Sequence, residues 1–378
     1  MYIFNPEHDL CLANGDIHFV PPQSAMDFGR DCASLTHFME GLDDMADIDT
    51  PTPKKIVPWG WNSVLRDRLL KEGYDQSLMP TDRQLSTIRE LSHREMALKA
   101  LEYINVQLLS HKTDANTPAN PVTENIVTDA DYRIAAKSIG EVNQFLKEKR
   151  NVVLKAPLSG SGKGIRFVSE ALSHSDEGWC RNLIKRHGSV IVEKRFNPVL
   201  EFAMLFKCTG GNSLSNSAIT ENRSVEFIGY SLFYTQNGMY KGNILASDEW
   251  IEKEITKYVP HQILELVKRL LKDFLMENIA CSYEGFAGID QFVHLPFEEH
   301  SGQQYSYNPA VEINLRMTMG LLAHNIYNRF RKDLKLQDGS HYFEIIRGKK
   351  GSGTNYSYAI AHMANLHQGQ YCPTESPL

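Results

Sequence analysis

The sequence predicts a mixed α/β protein built from more than one domain, and three observations carry that expectation. The chain has 378 residues, enough for two or three domains at roughly 100–200 residues each. Its composition is 42% hydrophobic and 23% charged, which suits a chain with a filled core and argues against general disorder. Short apolar runs bounded by Gly, Pro and Asn alternate with stretches of helical period, first as strand–loop–helix units and then as a β-rich middle.

Taken in order, residues 2–4 (YIF) read as a short strand ended by Asn5-Pro6, and residues 5–30 as a long loop with some helix. Residues 43–53 are acidic and end in two prolines, a surface-loop composition. KIVPW (55–59) is a second short strand. Asn62 or Ser63 then caps a helix through Val64, Leu65, Leu69 and Leu70 that stops at Gly73. SHREMALKALEY (92–103) predicts a helix with Ser92 and Glu95 as its capping box. Residues 110–124 form a polar linker, and 135–149 an amphipathic helix. Strands follow at 152–155 and 165–168, joined by the loop SGSGKG. A helix at 179–187 leads to strands at 190–193, 201–208 and 225–234. A long amphipathic helix covers 261–278. Strands at 285–294 and 310–316 flank the polar insertion EEHSGQQYSYN, residues 320–335 are helical, and the last thirty residues read as a tail that is partly mobile.

Lys plus Arg is 40 and Asp plus Glu is 46, a formal net charge of −6. That balance argues against a general nucleic-acid binder, whose affinity comes from neutralising phosphates. The six cysteines (Cys11, Cys32, Cys180, Cys208, Cys281 and Cys372) are scattered without a CxxC pair, so neither a zinc ribbon nor a disulfide framework is expected. Glu7 and Asp9 interrupt the stretch where a signal peptide would be apolar. No run approaches the ~18 apolar residues of a membrane helix. A cytoplasmic protein is expected.

VVLKAPLSGSGKGIRFV (152–168) is the most informative segment. It fails the Walker A template, because Pro157 stands at the first glycine and Gly164 follows Lys163, and it fails GxGxxG at Ile165. What remains is a hairpin loop in which Gly160, Gly162 and Gly164, with Ser161, bring backbone N–H groups close to an anion. Lys163 and Lys155 add charge. The competing reading is a plain hairpin with solvated lysines.

In AVEINLR (310–316) the alternation of a strand puts Val311, Ile313 and Leu315 on one face and Glu312, Asn314 and Arg316 on the other. Glu and Asn supply hard oxygen ligands suited to Mg²⁺, and Arg316 suits a carboxylate or phosphoryl group. Asp290 interrupts the apolar run FAGIDQFV and needs a partner or a metal if buried.

In this order the features resemble the ATP-grasp superfamily: strand-Lys (VVLKAP), Gly loop (SGSGKG), strand-Glu (VIVEKRF), acidic strand (GIDQF) and EINLR, over about residues 90–330. The VEK and E-x-N-x-R pieces are most similar to the biotin-carboxylase branch. The resemblance implies an ATP-grasp fold behind an N-terminal α/β pre-ATP-grasp domain. That domain would be 1–91, followed by a linker helix and small lid subdomain (92–190), a large subdomain (191–347) and a C-terminal tail (348–378). It implies that Lys155 and Lys163 hold ATP phosphates, Lys163 from a closing lid that includes Ser161, Gly162 and Gly164. Glu193 and Lys194 would lie at the adenine, partly through their backbone, with Phe196 close by and Glu201 near the ribose or nucleotide. Asp290, Glu312 and Asn314 would hold one or two Mg²⁺, with Mn²⁺ as a substitute, and Arg316 would act on the transferring phosphoryl group or the substrate carboxylate. Arg94 stands where many relatives carry a nucleotide-contacting lysine.

The implied activity is that of an ADP-forming ligase. It would activate a small-molecule carboxylate as an acylphosphate for attack by an amine or similar nucleophile. A small-molecule kinase and a nucleotide-binding protein without catalysis are the alternatives. The partners expected are small molecules, with neither nucleic acid nor membrane and with a homo-oligomer left open. Other candidates carry a plainer reading. Glu7, His8, Asp9 and Asn14 follow the first strand and could meet substrate, but read first as a structural turn. Trp59 and Trp61 read as packing residues, Lys241 and Arg223 as solvated charges, His324 as a structural histidine, and Cys208 and Cys281 as core thiols.

Overall fold

The computed structural model describes residues 1–42, 55–112, 132–159, 164–210, 223–236, 239–297, 304–348 and 355–363. Its architecture is mixed α/β, with antiparallel pairing in both larger sheets. Seven strands form the main sheet in the order β11-β10-β7-β8-β9-β12-β13. They are β7 (Pro198–Thr209), β8 (Ser224–Gln236), β9 (Met239–Leu245), β10 (Gly285–His294), β11 (Ser306–Asn314), β12 (His341–Arg347) and β13 (Tyr356–His362). A four-stranded sheet has the order β3-β6-β4-β5: β3 (Arg133–Ala136), β4 (Val152–Lys155), β5 (Ile165–Val168) and β6 (Val190–Lys194). At the N-terminus, β1 (Tyr2–Ile3) and β2 (Val57–Pro58) make a two-stranded parallel sheet.

The alternation of side chains gives the main sheet two different faces. Phe202, Met204, Phe206, Ile289 and Ile313 point into the larger core, against α5 (Glu95–Lys112) and α9 (His261–Asn278). Leu205, Leu245, Phe286 and Phe343 point the other way and pack under α10 (Met319–Phe330) together with Phe4 and Trp59 of the N-terminal unit. The polar residues of β10 and β11 belong to this second face. A bulge between Asp290 and Phe292 sets the register so that Asp290 pairs with Glu312. The small sheet buries Val152, Leu154, Val190 and Val192 against α6 (Ile139–Lys149) and α7 (His174–His187). Its other face is turned toward β11.

Helix α3 (Ser63–Lys71) follows the expected cap, with Asn62 accepting from the Leu65 N–H at 2.9 Å. Elsewhere the structure corrects the expected boundaries. Ser92 does not open α5; it closes α4 (Asp82–Leu91), its hydroxyl donating to the Ile88 carbonyl at 2.7 Å. The break between the helices turns the Arg94 N–H to the Pro157 carbonyl at 2.9 Å. The helix expected from residue 135 starts at Ile139, and the residues before it are the strand β3. Strand β11 begins within the expected insertion, whose residues 298–303 lie outside the described set. The C-terminal tail contributes β13, an edge strand paired with β12. Cys281 is exposed rather than a core thiol, whereas Cys208 is buried. No helix among the described residues is long and apolar enough to cross a membrane.

Candidate active site

Strands β10 and β11 bring Asp290, Glu312, Asn314 and Arg316 to one edge of the cleft face. The Asn314 amide donates to Asp290 at 3.1 Å, and Arg316 donates to the Asn314 oxygen at 2.9 Å. Asp290 is pushed up to about 7, first by burial and then by the Glu312 carboxylate beside it. Glu312 is held by Arg94, which reaches its two oxygens at 2.9 and 3.0 Å.

Arg94 is 5% exposed and saturated with acceptors. Besides Glu312, its guanidinium meets the Ala156 carbonyl, the Ser159 hydroxyl at 2.6 Å and the Ser159 carbonyl at 3.2 Å. It therefore ties the turn after β4 to the carboxylate strand. The base of the glycine loop is tight: a Cβ on Gly164 would lie 2.3 Å from the Ser159 hydroxyl and 2.9 Å from the Ala156 Cβ. Only glycine lets the loop return here. Ser161, Gly162 and Lys163 fall outside the described residues.

On the small sheet, Glu193 lies between two cations. Lys155 donates to one carboxylate oxygen at 2.7 Å, and Arg133 contacts the other. Burial opposes the Glu193 charge, but Arg133 and Lys155 hold its carboxyl below the ordinary value. Burial is also the main cause that lowers Lys155, opposed by Glu193 and assisted by Arg133. The Glu193 side chain is committed to this triad, which leaves its backbone for the expected adenine contact. Arg133, which the sequence reading missed, also donates to the Ala310 carbonyl of β11 at 2.9 Å.

An aromatic wall continues from β6. Phe196 packs on Phe292 at 5.1 Å, His294 at 4.6 Å and Phe297 at 5.0 Å between centroids. The Lys194 ammonium sits 3.7 Å from the Phe297 centroid. Glu201 is the register partner of Phe292, takes a hydrogen bond from the Thr235 hydroxyl, and is raised chiefly by burial.

The N-terminal segment, which reads from sequence as a turn, closes the cleft. Asp9 accepts from Arg316 Nε at 2.8 Å. His8 is fully buried and stays neutral, lowered to about 4 by burial first. Its ring lies against Gly60, where a Cβ would come within 2.6 Å, and Asn62 lies 3.3 Å from Nδ1. His8, Asp9, Leu12, Ser92, Ser159 and Glu312 are among the residues lining a narrow cleft. Arg223 is exposed, and His324 is paired with Asp248 at 3.1 Å.

The oxygen donors suit a magnesium ion. Asp290 and Glu312 are adjacent carboxylates with an amide beside them, and burial and the Glu312 charge raise Asp290 to about 7. Such a set needs Arg94 to release part of Glu312.

No protein-family model and no curated protein matches the sequence. Solved structures match over most of the chain at low identity. N5-carboxyaminoimidazole synthetase from Staphylococcus aureus, complexed with ADP, is 14% identical, with 92% of this chain and 81% of that one covered and a TM-score of 0.43. N5-carboxyaminoimidazole ribonucleotide synthetase from Thermus thermophilus is 15% identical, covering 93% and 84% with a TM-score of 0.40. The biotin carboxylase domain of 2-oxoglutarate carboxylase from Hydrogenobacter thermophilus, with MgADP and bicarbonate, is 14% identical, covering 84% and 61% with a TM-score of 0.40.

Proposed function

We propose that the protein is an ADP-forming ATP-dependent ligase acting on a small-molecule carboxylate and an amine or similar nucleophile. One observation carries the proposal. The cluster of Asp290, Glu312, Asn314 and Arg316 faces Arg94 and the Lys155–Glu193–Arg133 triad across the junction of the two sheets. An anionic edge opposite a cationic one is what a metal–nucleotide complex requires.

In this reading Lys155 binds a phosphate of ATP, and the aromatic wall with Lys194 borders the base. Asp290, Glu312 and Asn314 would hold magnesium, which when bound offsets charge on the phosphate oxygens. Arg316, fixed by Asp9, holds the substrate carboxylate or the transferring phosphoryl group. Phosphorylation makes the carboxylate electrophilic: its oxygen bonds the γ-phosphorus as the bond to ADP breaks. The nucleophile then displaces phosphate. The cytoplasm is the proposed setting.

The test has two stages. Saturating magnesium plus a non-hydrolysable ATP analogue, at ~100 times its dissociation constant, should add about 2.7 kcal/mol of stability. ADP release is then screened against paired pools of carboxylates and amines. ADP release only with both pools supports the ligase. Release with one pool and a stable phosphorylated product replaces it with a kinase. Nucleotide binding with no turnover in any pool favours the non-catalytic reading. No thermal shift at millimolar nucleotide removes the nucleotide site.

A further inference from the structure

We infer that Arg133 is a positioning residue for Lys155: by engaging one oxygen of Glu193 and the Ala310 carbonyl, it keeps the Lys155 ammonium available to an anion in the cleft. The inference rests on the nucleotide site proposed above and adds to it a residue that none of the five sequence motifs contains.

Arg133 and Glu193 are register partners on β3 and β6. Lys155 approaches Glu193 from β4, on the other side of β6. All three side chains are on the face opposite the small sheet's own core. Arg133 and Glu193 are 4% and 3% exposed, so water does little to dilute their interaction. A carboxylate alone with Lys155 would make a neutral pair, and a phosphate would have to pull the lysine away from it. With Arg133 present, the triad holds one net positive charge, and Glu193 keeps a cation when Lys155 turns to another anion. The bond to Ala310 gives this arrangement a fixed place relative to the carboxylate strand, two residues before Glu312.

Other charges also face Lys155. They are Arg94, ahead of α5, and Glu201 on β7, besides Glu193 and Arg133 themselves. The test must therefore compare variants in which those groups are unchanged.

The decisive measurement is the titration of Lys155 by NMR in a chain labelled at lysine Cε, for wild type, R133K and R133M. Loss of the neighbouring positive charge in R133M should move the Lys155 titration upward by about one pH unit. R133K, which keeps the charge, should stay with wild type. In parallel, the affinity for a magnesium–ATP analogue should fall about tenfold in R133M, which is 1.4 kcal/mol, and much less in R133K. A purely structural role would lower the melting temperature of R133M without moving the Lys155 titration, and that result overturns the inference. Should R133M fail to fold, R133Q supplies the same comparison with a donor left for Ala310. If wild type binds no nucleotide while the Lys155 titration still moves, the coupling stands and the proposed function falls.

Discussion

Two carboxylates, Glu193 on the small sheet and Asp290 on the main sheet, behave in opposite ways. Glu193 lies between Lys155 and Arg133 and is held below the usual carboxylate range despite its burial. Asp290 is half-buried, and desolvation first and then the Glu312 carboxylate raise it to about 7, with only an amide donating to it. Burial is the same kind of cost in both places; the neighbours decide the outcome. The Glu193 carboxylate therefore shares two cations, whereas Glu312 is held by Arg94 and Asp290 takes no cation in a direct bond. The difference supports the proposed reading, in which one wall takes phosphate and the other a metal ion.

The largest effect should come from removing the functional groups of the anionic wall. Glu312→Gln and Arg316→Ala should each lower ADP formation by about 10²–10³-fold, the scale of losing a charge-stabilising group. The melting temperature should change far less than in a core truncation. Full turnover by the Glu312→Gln chain would remove Glu312 from the metal site.

Next in size is the pH response of Asp290. Its folded-state value is raised above that of the unfolded chain, so folding is favoured by proton uptake. The contribution is fully present below about 4 and is lost as pH rises through about 7. The shift corresponds to a few kcal/mol at most, on the order of 2–4. Denaturant unfolding at pH 5 and pH 8 should show that loss in wild type and not in Asp290→Asn. An identical pH dependence in the two chains would contradict the contrast between the walls.

On the cationic wall, Lys155→Ala should cost less in stability, because Glu193 keeps Arg133. It should raise KM for ATP by about 10-fold or more, an ionic hydrogen bond being worth roughly 1.5–3 kcal/mol. An unchanged KM would take Lys155 away from the phosphate. The smallest of these effects should follow Gly60→Ala. The added methyl meets the buried His8 ring at 2.6 Å, and overpacking of this kind costs about 1–3 kcal/mol. A melting temperature equal to wild type would show that His8 can move aside.

What is legible in the sequence follows from local period. Glu312 and Asn314 alternate with Val311 and Ile313 on the strand, as expected, whereas the strand ends at Asn314 and Arg316 lies just beyond it, bonded back to the Asn314 oxygen. The helix at His261–Asn278 and the strand at Gly285–His294 were legible for the same reason. Arg133 was hidden because β3 is four residues long and runs almost directly into a helix. Its meaning lies in a register with β6, which no local pattern encodes. Asp9 is legible only as a candidate within a turn, since its partner Arg316 lies 307 positions away. Arg94 was noticed as a basic residue in a family position, but its bond to Glu312 required the fold that brings β11 to the start of α5.

The central claim is that the two walls jointly accept a magnesium–nucleotide complex. Calorimetric titration of an ATP analogue at pH 7, with and without magnesium and in two buffers of different ionisation enthalpy, tests it most directly. Binding should depend on magnesium and release about half a proton per site, as the cation lowers Asp290 from about 7. Absence of binding at millimolar nucleotide, or binding that needs no magnesium and releases no proton, would contradict it.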